Sequence, residues 1–131
     1  MGYAFLGLVL GAFVNMSLVM LGSSLVPAPE GVDLTTTEGL KAGMALMQPI
    51  HFLFPFLAHA FGTFAGAYFV TRVQVKAPFI VSIGIGLAFF AGGLIMVFQV
   101  PSPLWFTLLD LILAYIPMAI AGHWLALRAI R

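Results

Sequence analysis

The chain contains no cysteine, and only 7% of its 131 residues are Asp, Glu, Lys or Arg. The first absence excludes thiol–disulfide exchange, iron–sulfur clusters and thiolate metal sites, and with them the disulfide-forming redox enzymes built on small helix bundles. The second excludes a soluble domain: 63% hydrophobic residues and a mean hydropathy of +1.16 leave too little polar surface to cover one. A net charge of +1 supplies no basic stripe to neutralise phosphates, so nucleic acid is not an expected partner. There is also no basic flank at the N-terminus, no small-residue cleavage site after Val26, and at position 6 a leucine where a myristoylation motif needs Ser or Thr. The first apolar stretch is therefore expected to be a retained span without a lipid anchor.

What is present in quantity is long apolar runs. Residues 3–26, 39–71, 78–100 and 103–127 are each long enough to cross about 30 Å of hydrocarbon at about 1.5 Å per residue. The expectation is a single all-α membrane domain over residues 1–131, a four-transmembrane-helix bundle with the bilayer as its first partner. The loop at 27–38 carries Glu30, Asp33 and Glu38, and Thr35-Thr36-Thr37-Glu38 reads as a capping box with Thr35 as N-cap. Arg72, Lys76, Arg128 and Arg131 sort to one side of the membrane, which predicts an N-in/C-in topology. Trp105 and Trp124 stand near opposite ends of the last span, as interfacial anchors do.

The second segment is the least regular. As one helix it would be about 50 Å long, and Pro49 and Pro55 interrupt its backbone bonding. A single long, proline-kinked helix is the favoured reading; an interfacial helix over 36–48 followed by a span from Pro49 is the alternative. On this segment Gln48, His51, Pro55, His59, Gly62 and Gly66 fall within about 80° of one another at helical pitch, while Phe54, Phe61 and Phe64 point largely away. Lipid cannot satisfy imidazoles and amides, so such a stripe should face protein or a cavity. The phenylalanines read as lipid-facing bulk and packing.

Small residues four apart let membrane helices approach closely. Gly7 and Gly11 mark the first span, Gly62 and Gly66 the second, and Gly84, Ala88 and Gly92 the third; Ser82, Gly86 and Gly93 form a separate set facing another way. These serve packing within one protomer or between protomers, so a homo-oligomer or a partner membrane subunit is expected.

Asp110 is the only carboxylate inside a span, and at that depth it should face the bundle interior. If the second span begins at Lys41, His51 lies at the same depth as Asp110 and the two could pair. His59 and Asn15 lie near the middle of their spans and could hydrogen-bond across a helix interface. The expected pocket is therefore Asp110, His51, Gln48 and, further in, His59 and Asn15. His123, beside Trp124, reads as an interfacial polar residue.

This set supports a proton-linked transport or conduction role more readily than catalysis, because no nucleophile or metal constellation accompanies it. No metal site and no catalytic residue is expected. His51 and His59 are about 12 Å apart along a helix and cannot share one small ion. One of them could pair with His123, or with a second protomer, around a haem; otherwise no cofactor is implied. An accessory subunit docking through its glycine faces is the alternative function.

The run Pro29-Glu30-Gly31-Val32-Asp33, followed by Leu40-Lys41-Ala42, His51-Phe52 and Pro55-Phe56-Leu57-Ala58-His59-Ala60-Phe61-Gly62-Thr63, resembles a group of small bacterial four-helix membrane proteins of unknown function. The resemblance covers about the first half of the chain and implies a bacterial inner membrane, with no activity attached.

Overall fold

The computed structural model describes residues 2–73 and 76–129, so Arg131 of the expected basic cluster lies outside the described residues. The elements are α1 (Gly2–Leu25), α2 (Thr37–Gly43), two 3-10 turns (Met44–Leu46 and Pro49–Phe52), α3 (Leu53–Val73), α4 (Pro78–Gln99), α5 (Leu104–Leu113) and α6 (Ile116–Arg128). Among the described residues there is no strand. Four helical stretches, Gly2–Leu25, Pro49–Val73, Pro78–Gln99 and Leu104–Arg128, are long and apolar enough to cross a membrane, which marks a membrane protein.

The second segment is broken, not kinked. Met47 and Gln48 are extended, with ψ of 135° and 163°. Pro49 is the cause: its ring disfavours helical backbone at residue 48, and it has no N–H to continue the preceding helix. Pro55 occupies the first turn of α3, where a missing N–H costs least. The N-cap of α2 is Thr36, one residue later than expected; its side chain accepts from the Gly39 N–H at 3.0 Å, while Thr35 bonds to Asp33.

The last span is broken as well. Pro117 cannot donate to residue 113, and its ring would clash with that carbonyl, so α5 closes with the Ala114 N–H on Asp110 O and α6 opens with the Ala119 N–H on Tyr115 O. Tyr115 sits at the break, off helical geometry at φ −114° and ψ −83°.

Helix α3 is central and packs on α1, α4 and α6. Its buried face is made of small residues: Ala58, Ala60, Gly62, Thr63, Gly66 and Ala67 are all buried. The α1–α3 seam has glycine on both sides. A Cβ on Gly11 would stand 2.6 Å from the Gly62 carbonyl oxygen, and one on Gly66 would stand 2.7 Å from that of Gly7. On α4 the two small-residue sets divide. Ser82, Gly86 and Gly93 face into the protein, whereas Gly84 and Gly92 have nothing within 4 Å of an added Cβ. The end of α3 meets the end of α6 through Arg72, whose Nη1 donates to the Ala129 carbonyl at 2.9 Å and caps that helix.

Candidate functional site

The break before Pro117 turns Tyr115 inward, where it is 1% exposed. Gly93 on α4 gives the phenol ring its space, and Phe90 meets the ring edge-on at 5.9 Å. The Tyr115 hydroxyl donates to Oδ2 of Asp110 at 2.9 Å. Asp110, one turn earlier on α5 and 5% exposed, also meets Nδ1 of His59 on α3, at 2.9 Å from each carboxylate oxygen. The His59 and Tyr115 rings stack at 5.7 Å, with 3.0 Å between the hydroxyl and Nδ1.

These contacts define the tautomer. A carboxylate only accepts, so Nδ1 carries the hydrogen and Nε2 keeps its lone pair in the neutral ring. Among the described residues Nε2 has no hydrogen-bond partner, and His59 lines a cavity of about 310 Å³. Its other walls include Ser23, Phe54, Met96, Phe106 and Asp110. Such a volume lies at the small end of ligand pockets. The arrangement is a carboxylate orienting an imidazole whose second nitrogen is available, which can accept a proton from the cavity.

Of the expected pocket residues, Asp110, His59 and His51 line this cavity. His59, not His51, reaches Asp110. Because the span starts at Pro49, His51 sits at its first turn and serves as a staple: Nδ1 accepts from the Gln48 N–H at 2.9 Å, and Nε2 meets the Pro27 carbonyl at 3.2 Å. His51 lines the outer part of the cavity, while Gln48 does not. Among the described residues Asn15 makes no side-chain hydrogen bond; its Cβ lies 3.0 Å from where a Cβ on Gly62 would stand, in the α1–α3 seam. Tyr115 was not expected at the site. The signal for it was present, since a tyrosine two residues before a proline in the same span as Asp110 is free to leave the helical path.

His123 is buried within the protein. It is 5% exposed and closes a second polar cluster, with Nδ1 2.9 Å from Thr71 Oγ1, which lies 3.0 Å from Ser82 Oγ. Ser82 in turn donates to the Ala67 carbonyl at 3.3 Å. Thr71 is twelve residues, or about 18 Å, along α3 from His59, so His123 and His59 of one chain do not pair around a haem. Among the described residues no three His, Asp or Glu side chains gather as a metal site.

No protein-family model, curated protein or solved structure matches the chain. The site is read from its own chemistry.

Proposed function

We propose that the protein takes up and passes protons through Asp110, His59 and Tyr115, as a conductor or coupled to a small solute that enters the cavity. One observation carries this reading: a carboxylate within a span is held by two protonatable side chains, and the carboxylate and the imidazole both line a cavity. Ionisable groups at such depth are costly and mark proton relays and solute paths. Uptake of a proton at His59 Nε2 cancels the charge of Asp110 and leaves both of its hydrogen bonds in place. The proline breaks at Gln48 and Tyr115 flank the cluster and are the natural hinges for exchanging access. The membrane is taken to be the bacterial inner membrane, as the resemblance of the first half implies. The termini and the Arg72–Lys76 connection then face the cytoplasm by the positive-inside rule.

A second reading has its own support. Gly84 and Gly92 expose a glycine face on α4 that nothing among the described residues covers within 4 Å of an added Cβ. That is how an accessory subunit, or a second copy of this chain, would dock.

The test is proton flux into vesicles that hold the purified protein and a pH-sensitive dye, driven by a potassium diffusion potential. Wild-type protein should acidify the lumen, and Asp110→Asn should fall to the rate of protein-free vesicles. Equal rates for the two proteins reject the proton-linked reading.

A further inference from the structure

The cavity beside His59 has largely apolar walls, with Phe52, Phe54, Phe106 and Met96 among them, and one carboxylate, Asp110. No Lys, Arg or Glu lines it, and its other polar side chains are His51, His59, Ser23 and Ser102. With neutral imidazoles the lining therefore carries a single negative charge. His59 Nδ1–H and the Tyr115 hydroxyl donate to that carboxylate without cancelling its charge, and lone pairs remain on its oxygens for a further donor. Helices α1 and α4 add no titratable side chain to the lining. The surroundings repeat the sign. All four acidic residues of the chain belong to this end: Asp110 in the wall, and Glu30, Asp33 and Glu38, all exposed, on the segment that lines the cavity through Leu34 and Met44. Lys41 is the one basic residue of that segment, while Arg72 and Arg128 stand at the remote ends of α3 and α6. Such a field draws cations toward the cavity.

We propose, resting on the proton-linked reading above, that this cavity binds a compact lipophilic ammonium ion, which competes with the proton for the Asp110–His59 pair. A hydrated metal ion does not suit the site: its walls offer few groups to replace water, and among the described residues no three His, Asp or Glu side chains gather. An organic cation suits both halves. Its apolar body covers the aromatic and thioether walls, and the phenylalanine rings add cation–π attraction. Its N–H groups donate to His59 Nε2, which keeps a lone pair while Nδ1 carries the hydrogen, and its charge is met by Asp110. A proton bound at the same nitrogen removes that lone pair and cancels the charge of Asp110, so the ammonium ion leaves. The only bond made or broken in this exchange is the N–H at Nε2. His51 does not share the role, because both of its nitrogens are engaged, one by the Gln48 N–H and the other by the Pro27 carbonyl. A cavity of about 310 Å³, at the small end of ligand pockets, limits the ion to a compact body.

The test is equilibrium dialysis of radiolabelled 1-adamantylamine and 1-adamantanol against the protein in lipid nanodiscs, with binding to empty nanodiscs subtracted. The two probes share a shape, and the amine, like lysine, stays protonated at about pH 8. The amine should saturate a single site per chain and bind at least about tenfold more tightly than the alcohol, since a charge pair in a partly buried site exceeds that factor. Asp110→Asn should lose this preference yet still bind the alcohol, which reports an intact cavity; if the variant binds neither, the wild-type comparison decides. Acidification from about pH 8 to about pH 5, the range over which imidazoles take up protons, should weaken the amine by up to about tenfold per pH unit, the limit for one competing proton. Equal affinity for the two probes, or no saturable binding of the amine, overturns the cationic ligand. Amine affinity unchanged by acidification overturns the competition. Proton flux into vesicles is read without either probe, so flux in wild-type protein beside equal affinities means that this proposal alone has failed. Absence of that flux overturns the proton-linked reading, and the competition with it.

Discussion

Replacing Tyr115 with Phe removes one oxygen and leaves the ring in its slot against Gly93 and Phe90. That oxygen is one of two donors to the Asp110 carboxylate, at 2.9 Å, and also lies 3.0 Å from His59 Nδ1. Because Tyr115 is 1% exposed and Asp110 5% exposed, bulk water has little access to replace the lost donor. Two magnitudes bracket the result. Hydrogen bonds to charged groups contribute about 1.5–3 kcal/mol, whereas interhelical bonds in membranes average about 0.6 kcal/mol because the unfolded chain in lipid finds other partners. Tyr115 and Asp110 lie only five residues apart in the chain, and the acceptor is a carboxylate, so the upper range applies, at about 2 kcal/mol. The assay is reversible unfolding in bicelles for wild type, Tyr115→Phe, Asp110→Asn and the double variant. The coupling energy of that cycle isolates the bond from the general cost of each change. A coupling below about 0.5 kcal/mol, the additivity limit for independent sites, refutes the idea that the phenol holds Asp110.

The glycine seam makes a contrasting prediction. Gly11→Ala should destabilise by about 1–3 kcal/mol in the same assay, since its Cβ would meet the Gly62 carbonyl oxygen at 2.6 Å, while Gly84→Ala, with nothing within 4 Å, should leave stability unchanged. At the first loop, the Thr35 hydroxyl and N–H that donate to Asp33 hold its carboxyl below the ordinary 3.8. A depressed folded-state value means that the stabilisation is present above 3.8 and is lost as pH falls through the lower folded value. Carbon-13 NMR of Asp33 should therefore titrate below 3.8, and Thr35→Ala should return it toward that figure.

Much of this molecule was legible before any geometry. Three of the four apolar stretches coincide within a residue with long helical segments, and the second does so from Pro49 onward, because burial in lipid depends on local composition. Asp110 was identifiable for the same reason, as the one carboxylate inside a span. The glycines of α1 and α3 were expected as packing residues and stand on the α1–α3 seam, but the α4 sets could not be ranked. Gly84 with Gly92 and Gly86 with Gly93 look alike as patterns, and only the position of Tyr115 and Ala119 decides which pair is covered. The second span was misread at its start because proline kinks and proline breaks share one sequence signature.

The amino-acid order by itself determined that this protein belongs in a membrane, how many times it can cross, and that a lone acid would have to find a partner there. These follow from per-residue transfer energies, which add along the chain without reference to the fold. Tertiary structure alone decided who the partner is. His51 and His59 sit on the same stripe, and choosing between them required knowing that the chain breaks at Gln48, which lifts His51 toward Pro27, and breaks again at Tyr115, which brings a phenol beside Asp110. A contact between residues 51 positions apart depends on the depth of two helices and on where each is interrupted, and no single segment encodes both.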